Sequence, residues 1–291
     1  MAKHPLAEVF GFPISNQAPD ALRHRNKRLC PFNNKVPNCT KDKANDPLGV
    51  CSVYEGDAIA ITCPVRFRED WLIADDAAAF FFPATANWTS LVEVRLNDKH
   101  SRSAGNIDVV LVSYDEFGRI TDFGSLEVQA VYISGNVRAP FEFFMQTPAD
   151  LHLDWTGKPN YPRPDYLSSS RKRLAPQLLF KGGILHAWGK KQAVAINRGF
   201  YNSLPRLTHV APQDADLAWL IYDLLLDETT NRYKLSKSET VYTKFQPTML
   251  QLTTATPGPV EDFLGYLQTK LDEKLEHNPP DAPTLVDTIL T

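Results

Sequence analysis

The sequence predicts an α/β protein in which a mixed central sheet is flanked by helices. Residues 109–112 form a short apolar run, and residues 126–130 alternate between apolar and polar side chains; both patterns are typical of strands. Residues 260–277 instead carry apolar side chains at helical spacing. With 291 residues, of which 43% are hydrophobic, the chain is long enough to bury a sizeable core.

The overall charge favours no particular partner. The formal net charge is −3, so a polyanion such as DNA would have to be met by local basic clusters. No apolar run approaches the length needed to span a bilayer, and the N-terminus lacks the apolar core of a signal peptide. We therefore expect a cytoplasmic protein that has no membrane partner.

Residues 1–29 are predicted to be an irregular, basic lead-in. Pro, Ala and Asn are frequent over residues 1–19, and the strongly basic run that follows Asp20 is predicted to be a short helix or an arm. Such a run suits contacts with phosphate groups, but a charge run is also a common solvated surface, so both interpretations stay open. The candidate nucleic-acid contacts are Arg23, Arg25, Lys27 and Arg28.

Residues 30–65 are predicted to form a small metal-binding module. They contain all four cysteines of the chain, Cys30, Cys39, Cys51 and Cys63. Disulfides are not expected in a reducing cytosol, whereas clustered thiolates suit a tetrahedral Zn or Fe ion. Four protein ligands leave no open position, so the ion would be structural. Buried free thiols are the alternative.

Residues 66–291 are predicted to form the main domain. A helix over residues 66–82 ends before Pro83, and a strand over residues 88–96 carries Glu93. This carboxylate is a candidate for a third metal-binding or catalytic side chain, and an exposed strand glutamate is the alternative.

The candidate active residues lie on two strands in the middle of this domain. Asp108 begins the first apolar run, and Glu127 and Gln129 share one face of the second strand because they are two residues apart. A turn over residues 115–118 separates the two strands, and if they pair as a hairpin or lie side by side, Asp108 can meet Glu127. Two carboxylates that close repel each other unless a cation lies between them, and Mg²⁺ suits such hard oxygen ligands. An ordinary buried strand is the alternative.

A long helix is predicted beyond a Pro-rich, irregular stretch over residues 136–165. It begins at an N-cap within residues 168–170 and continues to about Trp188. Positive charge at a helix start opposes the helix dipole unless an anion lies there, which favours phosphate contacts. The basic residues at this start are Arg171, Lys172 and Arg173.

The C-terminal part is predicted to complete the sheet and to add one helix. Residues 192–196 and 217–226 read as buried strands, and residues 233–252 as two further strands. The apolar stripe of the helix over residues 260–277 is either core or a dimer face.

The order of Asp108, Glu127 and Gln129 resembles the PD-(D/E)xK nuclease core, with Gln in the position of its Lys, and within it the NotI-type restriction endonucleases. Glu93 precedes Asp108 at the carboxylate spacing of that family, and Gly135 follows Gln129 at the distance of a family glycine.

The four cysteines also resemble the metal-binding module of that family. The resemblance spans roughly residues 28–137, and a weaker resemblance follows in the helical stretch after Arg171.

This resemblance implies a restriction-endonuclease-like core joined to a four-cysteine module that holds iron. It implies catalysis by Asp108, Glu127 and Gln129, with Mg²⁺ held by the two carboxylates and the Val128 carbonyl. The expected activity is that of a homodimeric type II restriction enzyme that cuts double-stranded DNA at a GC-rich palindrome. A metal-stabilised DNA-binding or assembly protein without catalysis, and a structure-specific repair or recombination nuclease on the same core, are the alternatives.

Overall fold

The protein is described by a computed structural model that covers residues 4–33, 35–43, 45–148, 150–151 and 154–277. The chain divides into two compact units, one ending at Thr253 and one beginning at Thr254. No helix in the described ranges is long and apolar enough to cross a membrane.

Among the described residues of the first unit, six strands form the central sheet, four form a smaller N-terminal sheet, and the other four form two pairs, Asp42–Lys43 with Asp46–Pro47 and Tyr132–Ser134 with Arg163–Asp165. The strands are β1 (Leu6–Val9), β2 (Phe12–Pro13), β3 (Asp42–Lys43), β4 (Asp46–Pro47), β5 (Val50–Glu55), β6 (Ala58–Ile61), β7 (Asn87–Asn97), β8 (Ser103–Tyr114), β9 (Ile120–Gln129), β10 (Tyr132–Ser134), β11 (Arg163–Asp165), β12 (Gln192–Asn197), β13 (Leu217–Asp227) and β14 (Arg232–Thr243).

The helices lie between and beyond these strands. They are α1 (Pro19–Lys27), α2 (Leu72–Phe81), α3 (Arg138–Gln146), α4 (residues 166–187), α5 (Arg198–Asn202), α6 (Phe245–Thr253) and, in the second unit, α7 (Val260–His277). Short 3₁₀ turns precede α2 at Pro64–Trp71 and β13 at Pro212–Asp214.

The central sheet is mixed, which confirms the predicted α/β class. Its order is β14-β13-β12-β9-β8-β7; β12 runs parallel to both β9 and β13, and the other neighbours are antiparallel. The predicted central hairpin is therefore present as β8 and β9. This arrangement is consistent with a restriction-endonuclease-like core.

Alternate residues of the hairpin face two different helices. Val109 and Leu111 pack with α2 in one core cluster, whereas Val110 and Val112 pack with Leu185 of α4 in another. Because side chains alternate along a strand, α2 and α4 cover opposite faces of the sheet. Pro83 follows α2, as predicted, but that helix begins at Leu72 because Glu69 and Asp70 leave helical geometry.

α4 contains two π-helical turns, Ser170–Leu174 and Leu178–Gly182. Pro176 lies between them and has no N–H to donate, so a regular ladder of helical hydrogen bonds cannot continue through it. Asp165, rather than a residue of 168–170, caps the helix by accepting from the Ser168 N–H at 2.9 Å.

The predicted irregular lead-in is wrong for the described residues. Leu6–Val9 is a strand in which every residue is buried, and it pairs with β5 of the cysteine-bearing segment. A short strand that is buried on both faces need not alternate polar and apolar residues, so the sequence pattern did not predict it. Residues 19–27 then form α1, with Pro19 in its first turn.

Two further expectations are corrected. The stretch predicted to be irregular contains α3, whose Pro140 sits in the first turn, where no N–H is needed. Of the two strands predicted in residues 233–252, one exists as β14, and Phe245–Thr253 is helical instead.

A buried ion pair links the N-terminal sheet to the chain that follows it. Arg66 donates from Nε to Glu8, 3.0 Å from Oε2, and both side chains are fully buried. Its Nη1 lies 2.8 Å from Glu69, and Ser52 donates to Glu8 at 2.8 Å. Each oxygen of Glu8 thus has a donor.

Glu8→Gln should lower the free energy of unfolding by about 3–5 kcal/mol, because it leaves the buried Arg66 short of its counter-charge. Urea denaturation measures this change. Arg198→Ala is the control: its partner Asp223 is half-exposed, and loss of an exposed pair should cost less than about 1 kcal/mol. Equal effects of the two substitutions would contradict the assigned role of Glu8.

Candidate active site

The β8–β9 register brings Asp108 and Glu127 together. Val109 pairs with Leu126, so Asp108 is level with Glu127 on the neighbouring strand. The Val128 N–H donates to Asp108 Oδ2 at 2.9 Å, which fixes that carboxylate at the end of the ladder. Glu127 is buried and Asp108 is half-buried. The structure therefore places the two predicted metal-binding carboxylates side by side.

A lysine from α4 neutralises part of this negative charge. Lys181 Nζ lies 2.6 Å from Glu127 Oε2, and both side chains are only 5% exposed. The same ammonium group donates to the Asn106 carbonyl oxygen at 2.8 Å. Lys181 thus connects the two strands that carry the carboxylates.

Glu127 does not ionise easily despite this lysine. Burial, and then the negative charge of Asp108, raise its pKa from 4.5 to about 8, while Lys181 acts in the opposite direction. A hydrogen bond between the two carboxyl groups, which requires a proton, is the smallest of the causes that raise the pKa to this value.

One oxygen of the pair is left without a partner other than Asp108. Apart from a proton shared with Asp108, buried Glu127 Oε1 has no hydrogen-bond donor among the described residues. A buried carboxylate oxygen without a donor is costly unless a ligand satisfies it. Oxygen donors from two acidic side chains are the ligands that a hard divalent cation prefers, so these residues fit Mg²⁺. The pair supplies only two acidic side chains, however, and the described residues hold no group of three or more acidic, His or Cys side chains arranged for a metal.

Asp108 of the pair lines an open cleft of about 700 Å³, whereas buried Glu127 is not among its lining residues. Asp108 and Gln129 line it, together with Gln177 and Arg173 of α4. Gln129 Nε2 donates to Gln177 Oε1 at 2.5 Å, so the amide of Gln129 is held in one orientation. Gln129 shares its sheet face with Glu127, as predicted.

Glu93 is level with Asp108 on the neighbouring strand, but its carboxylate is paired with a lysine. Its neighbours Val92 and Val94 pair with residues on either side of Asp108. Glu93 itself has φ +57°, an unusual conformation for a residue with a side chain. Its carboxylate is 63% exposed and lies 3.3 Å from Lys35 Nζ, so its described partner is this lysine.

The basic residues of the N-terminal segment differ in their exposure. Arg25 is buried and donates to the carbonyl oxygens of Asn16 and Pro13, so its prediction as a nucleic-acid contact is not supported by its position. The exposed members of this group are Arg23, Lys27 and Arg28. Arg28 is bound to Asp46 at 2.6 Å.

The basic residues of α4 lie closer to the candidate site. Arg171, Lys172 and Arg173 are all exposed. Arg173 lines the cleft, and its guanidinium group lies over the Tyr132 ring, 4.0 Å from the ring centroid. This stacking holds a positive charge on the wall of the cleft that contains Asp108.

The four cysteines are all free thiols, of which three are buried and Cys30 is half-buried. Burial, together with the charges of Cys63 and Cys39, raises the pKa of Cys30 to about 11, while a hydrogen bond with the Phe32 backbone acts in the opposite direction. Burial, followed by the charges of Cys63 and Glu8, also raises the pKa of Cys51 well above its ordinary value. These effects show that the thiols are near one another, although within the described ranges they do not form a metal-binding group.

Lys181 and Gln177 are the site residues that the sequence analysis missed. They are four residues apart within a predicted helix, so they share one of its faces. Lys181 also stands in an apolar stripe that includes Leu178 and Leu185, both buried. A lysine in such a stripe is a signal that it has a buried partner.

Because of Glu127, the stability of the metal-free protein should fall as the pH rises. The folded state keeps the Glu127 proton up to about pH 8, whereas the ordinary pKa is 4.5. Between these values the folded state binds more protons than the unfolded state, so stability falls as the pH rises. Between about pH 5 and pH 8, the free energy of unfolding of the wild type should therefore fall more than that of Glu127→Gln. Denaturant titrations across this range measure the difference, and parallel pH curves would contradict it.

Comparison with known protein families assigns this chain to one of them. Residues 8–235 match the family described as Restriction endonuclease NotI, a span that includes both carboxylates, Gln129, Lys181 and all four cysteines. A search of curated proteins found no match. The matched span is most of the chain, and the chain belongs to the NotI restriction endonuclease family of type II site-specific deoxyribonucleases.

Proposed function

We propose that the protein cuts double-stranded DNA by Mg²⁺-dependent phosphodiester hydrolysis at Asp108 and Glu127. The observation that carries this proposal is the pair of adjacent carboxylates, of which Asp108 lines a cleft and Glu127 has a buried oxygen without a described hydrogen-bond donor apart from a proton shared with Asp108. Family membership supports the activity, and this pair supports its location.

Asp108 and Glu127 would hold the ion through the Asp108 carboxyl group and Glu127 Oε1. Bound Mg²⁺ supplies Lewis-acid chemistry, lowering the pKa of a water molecule and neutralising charge on the phosphate. The Val128 N–H holds Asp108 in place, and Lys181 holds Glu127. Glu93, level with Asp108, stays a predicted third carboxylate.

Gln129 is proposed to orient the attacking water. Its amide nitrogen is engaged by Gln177, which leaves its carbonyl oxygen as an acceptor for a water proton. The water oxygen attacks phosphorus and the bond to the 3′ oxygen breaks, leaving a 5′-phosphate and a 3′-hydroxyl. Because Gln129 is neutral, it contributes orientation and no charge.

The DNA backbone is proposed to lie along the cleft wall formed by α4. The guanidinium group of Arg173 lines the cleft and stacks on Tyr132. Arg171 and Lys172 are exposed and precede it in the same helix. Contacts of this kind position the backbone and give affinity that falls with salt concentration. Arg23, Lys27 and Arg28 remain weaker candidates.

A homodimer is proposed, since cutting both strands of a palindrome requires two sites related by a two-fold axis. The apolar stripe of α7, which includes Phe263, Leu267 and Leu271, suits a subunit interface. A GC-rich palindrome suits a protein whose cleft presents arginine, because arginine pairs with guanine through two hydrogen bonds.

Asp108→Asn and Glu127→Gln should each reduce Mg²⁺-dependent cleavage at least about a hundred-fold, because each removes a ligand charge from the metal site. DNA binding in Ca²⁺ should persist. Cleavage of a mixed DNA library, followed by mapping of the cut ends, measures activity and sequence preference together.

Asp122→Asn is the matched control for these variants. Asp122 lies on the same strand, β9, but pairs with Lys190 at 2.6 Å. Its cleavage should equal that of the wild type. Wild-type cleavage by Asp108→Asn or Glu127→Gln would remove the site assignment, and cuts at no common sequence would favour a structure-specific nuclease.

The four cysteines are proposed to bind one structural Fe or Zn ion. All four cysteines lie between residues 30 and 63 and three of them are buried, which fits tetrahedral sulfur ligation of one ion.

Elemental analysis should find about one equivalent of Fe or Zn per chain. Cys51→Ser should lose the ion and melt at least roughly 10 °C lower, since structural metal sites contribute on the order of 10 kcal/mol to folding. Val53→Thr, a buried change on the same strand, should lower stability while keeping the ion. A wild-type protein without transition metal would contradict the proposal.

A further inference from the structure

We propose that Lys181 is a positioning residue for catalysis, which holds one oxygen of Glu127 so that the other is free to bind the metal ion. This inference rests on the proposed function of the Asp108–Glu127 pair. It also assigns to α4 the positive charge of the active centre, which neutral Gln129 cannot provide.

The ammonium group of Lys181 makes two contacts that determine its position. It lies 2.6 Å from Glu127 Oε2 on β9 and 2.8 Å from the Asn106 carbonyl oxygen on β8. Asn106 is two residues before Asp108 in the same strand. Lys181 therefore holds both strands at the level of the carboxylates.

The surrounding fold allows α4 to approach the sheet closely enough for these contacts. Lys181 lies in a π-helical turn, a local widening that is frequent at functional sites. Gly182 follows it, and a Cβ atom there would lie 2.7 Å from Gln192 Oε1 and 2.8 Å from the Phe245 ring. A larger residue at this position would push the helix away from the sheet.

The buried ion pair Glu8–Arg66 differs from Glu127–Lys181 in a way that indicates a role beyond stabilisation. In Glu8–Arg66, both carboxylate oxygens receive hydrogen bonds. In Glu127–Lys181, Oε2 is held and, apart from a proton shared with Asp108, Oε1 has no donor among the described residues. A buried ion pair is weak support for stability, and one that leaves an oxygen unsatisfied next to a second carboxylate is less favourable still. The arrangement is explained if Oε1 is reserved for a ligand.

The consequence for catalysis is geometric. With Oε2 held, the Glu127 carboxyl group cannot turn away from Asp108, and the metal-binding oxygen keeps its place before metal arrives. Without Lys181 the carboxylate is free to rotate, and the ion must order it on binding.

Lys181→Met tests this inference, because it keeps the apolar stem and removes the charge. Mn²⁺ binding without DNA, followed by electron paramagnetic resonance, should weaken at least about ten-fold, and single-turnover cleavage in Mg²⁺ should slow at least about a hundred-fold. DNA binding in Ca²⁺ should change less than about three-fold, since Lys181 is buried and does not line the cleft. Wild-type or tighter Mn²⁺ binding overturns the inference.

Lys191→Met is the matched control. Lys191 is half-buried, donates to the Phe80 carbonyl oxygen at 2.8 Å and stacks on the Phe80 ring. Its Mn²⁺ binding and cleavage should equal those of the wild type. If Lys181→Met does not fold, as judged by its melting curve, Lys181→Gln takes its place with the same expected losses and the same overturning result.

Glu127→Gln distinguishes failure of this inference from failure of the proposed function. If Glu127→Gln keeps Mn²⁺ binding and cleavage, the proposed active site is wrong. If Glu127→Gln loses both while Lys181→Met keeps both, the active site stands and the role of Lys181 is overturned.

Discussion

The repulsion between Asp108 and Glu127 is the interaction on which the account of this protein depends. Two carboxylates on adjacent strands, one of them buried, destabilise each other, and the pKa of Glu127 rises to about 8 as a result of burial and of Asp108. The fold offsets this cost with two groups, the Val128 N–H and the Lys181 ammonium. The oxygen that neither group satisfies is the one to which the proposed Mg²⁺ ion binds. The same feature that costs stability is thus the basis of the proposed active centre.

The rest of the structure supports this arrangement mechanically. The β8–β9 hairpin sets the level of the two carboxylates, and the parallel pairing of β9 with β12 places the end of β9 inside the sheet. α2 and α4 cover the two faces, so the hairpin cannot twist without disturbing a core cluster. The N-terminal sheet is joined to the following chain through the buried Glu8–Arg66 pair, and the cysteines lie on and around its strands.

The sequence predicted the part of the site that depends on strand geometry. Alternation in residues 126–130 placed Glu127 and Gln129 on one face, and a short turn after Tyr114 suggested the hairpin that brings Asp108 to them. The position of Lys181 could not be predicted in the same way. It depends on how α4 is rotated and how close it comes to the sheet, which are set by Gly182 and the π-helical turns rather than by helical periodicity.

Errors elsewhere have similar physical causes. Both sides of the strand Leu6–Val9 are buried, so it has no solvent-exposed face and lacks the alternation that identifies a half-exposed strand. Arg25 looked like a phosphate contact because it stands in a basic run, but its guanidinium group satisfies buried carbonyl oxygens. Charge in a sequence shows that a partner is needed, and only the packing shows whether that partner is DNA or the chain itself.

The most direct test is the location of a bound ion. A crystal of the protein soaked in Mn²⁺ and measured at the manganese absorption edge would show the ion as an anomalous difference peak. The account predicts a peak bonded to Glu127 Oε1 and the Asp108 carboxyl group, with Lys181 still on Glu127 Oε2. A peak elsewhere on the chain, with the Asp108–Glu127 pair closed by a shared proton, would contradict it.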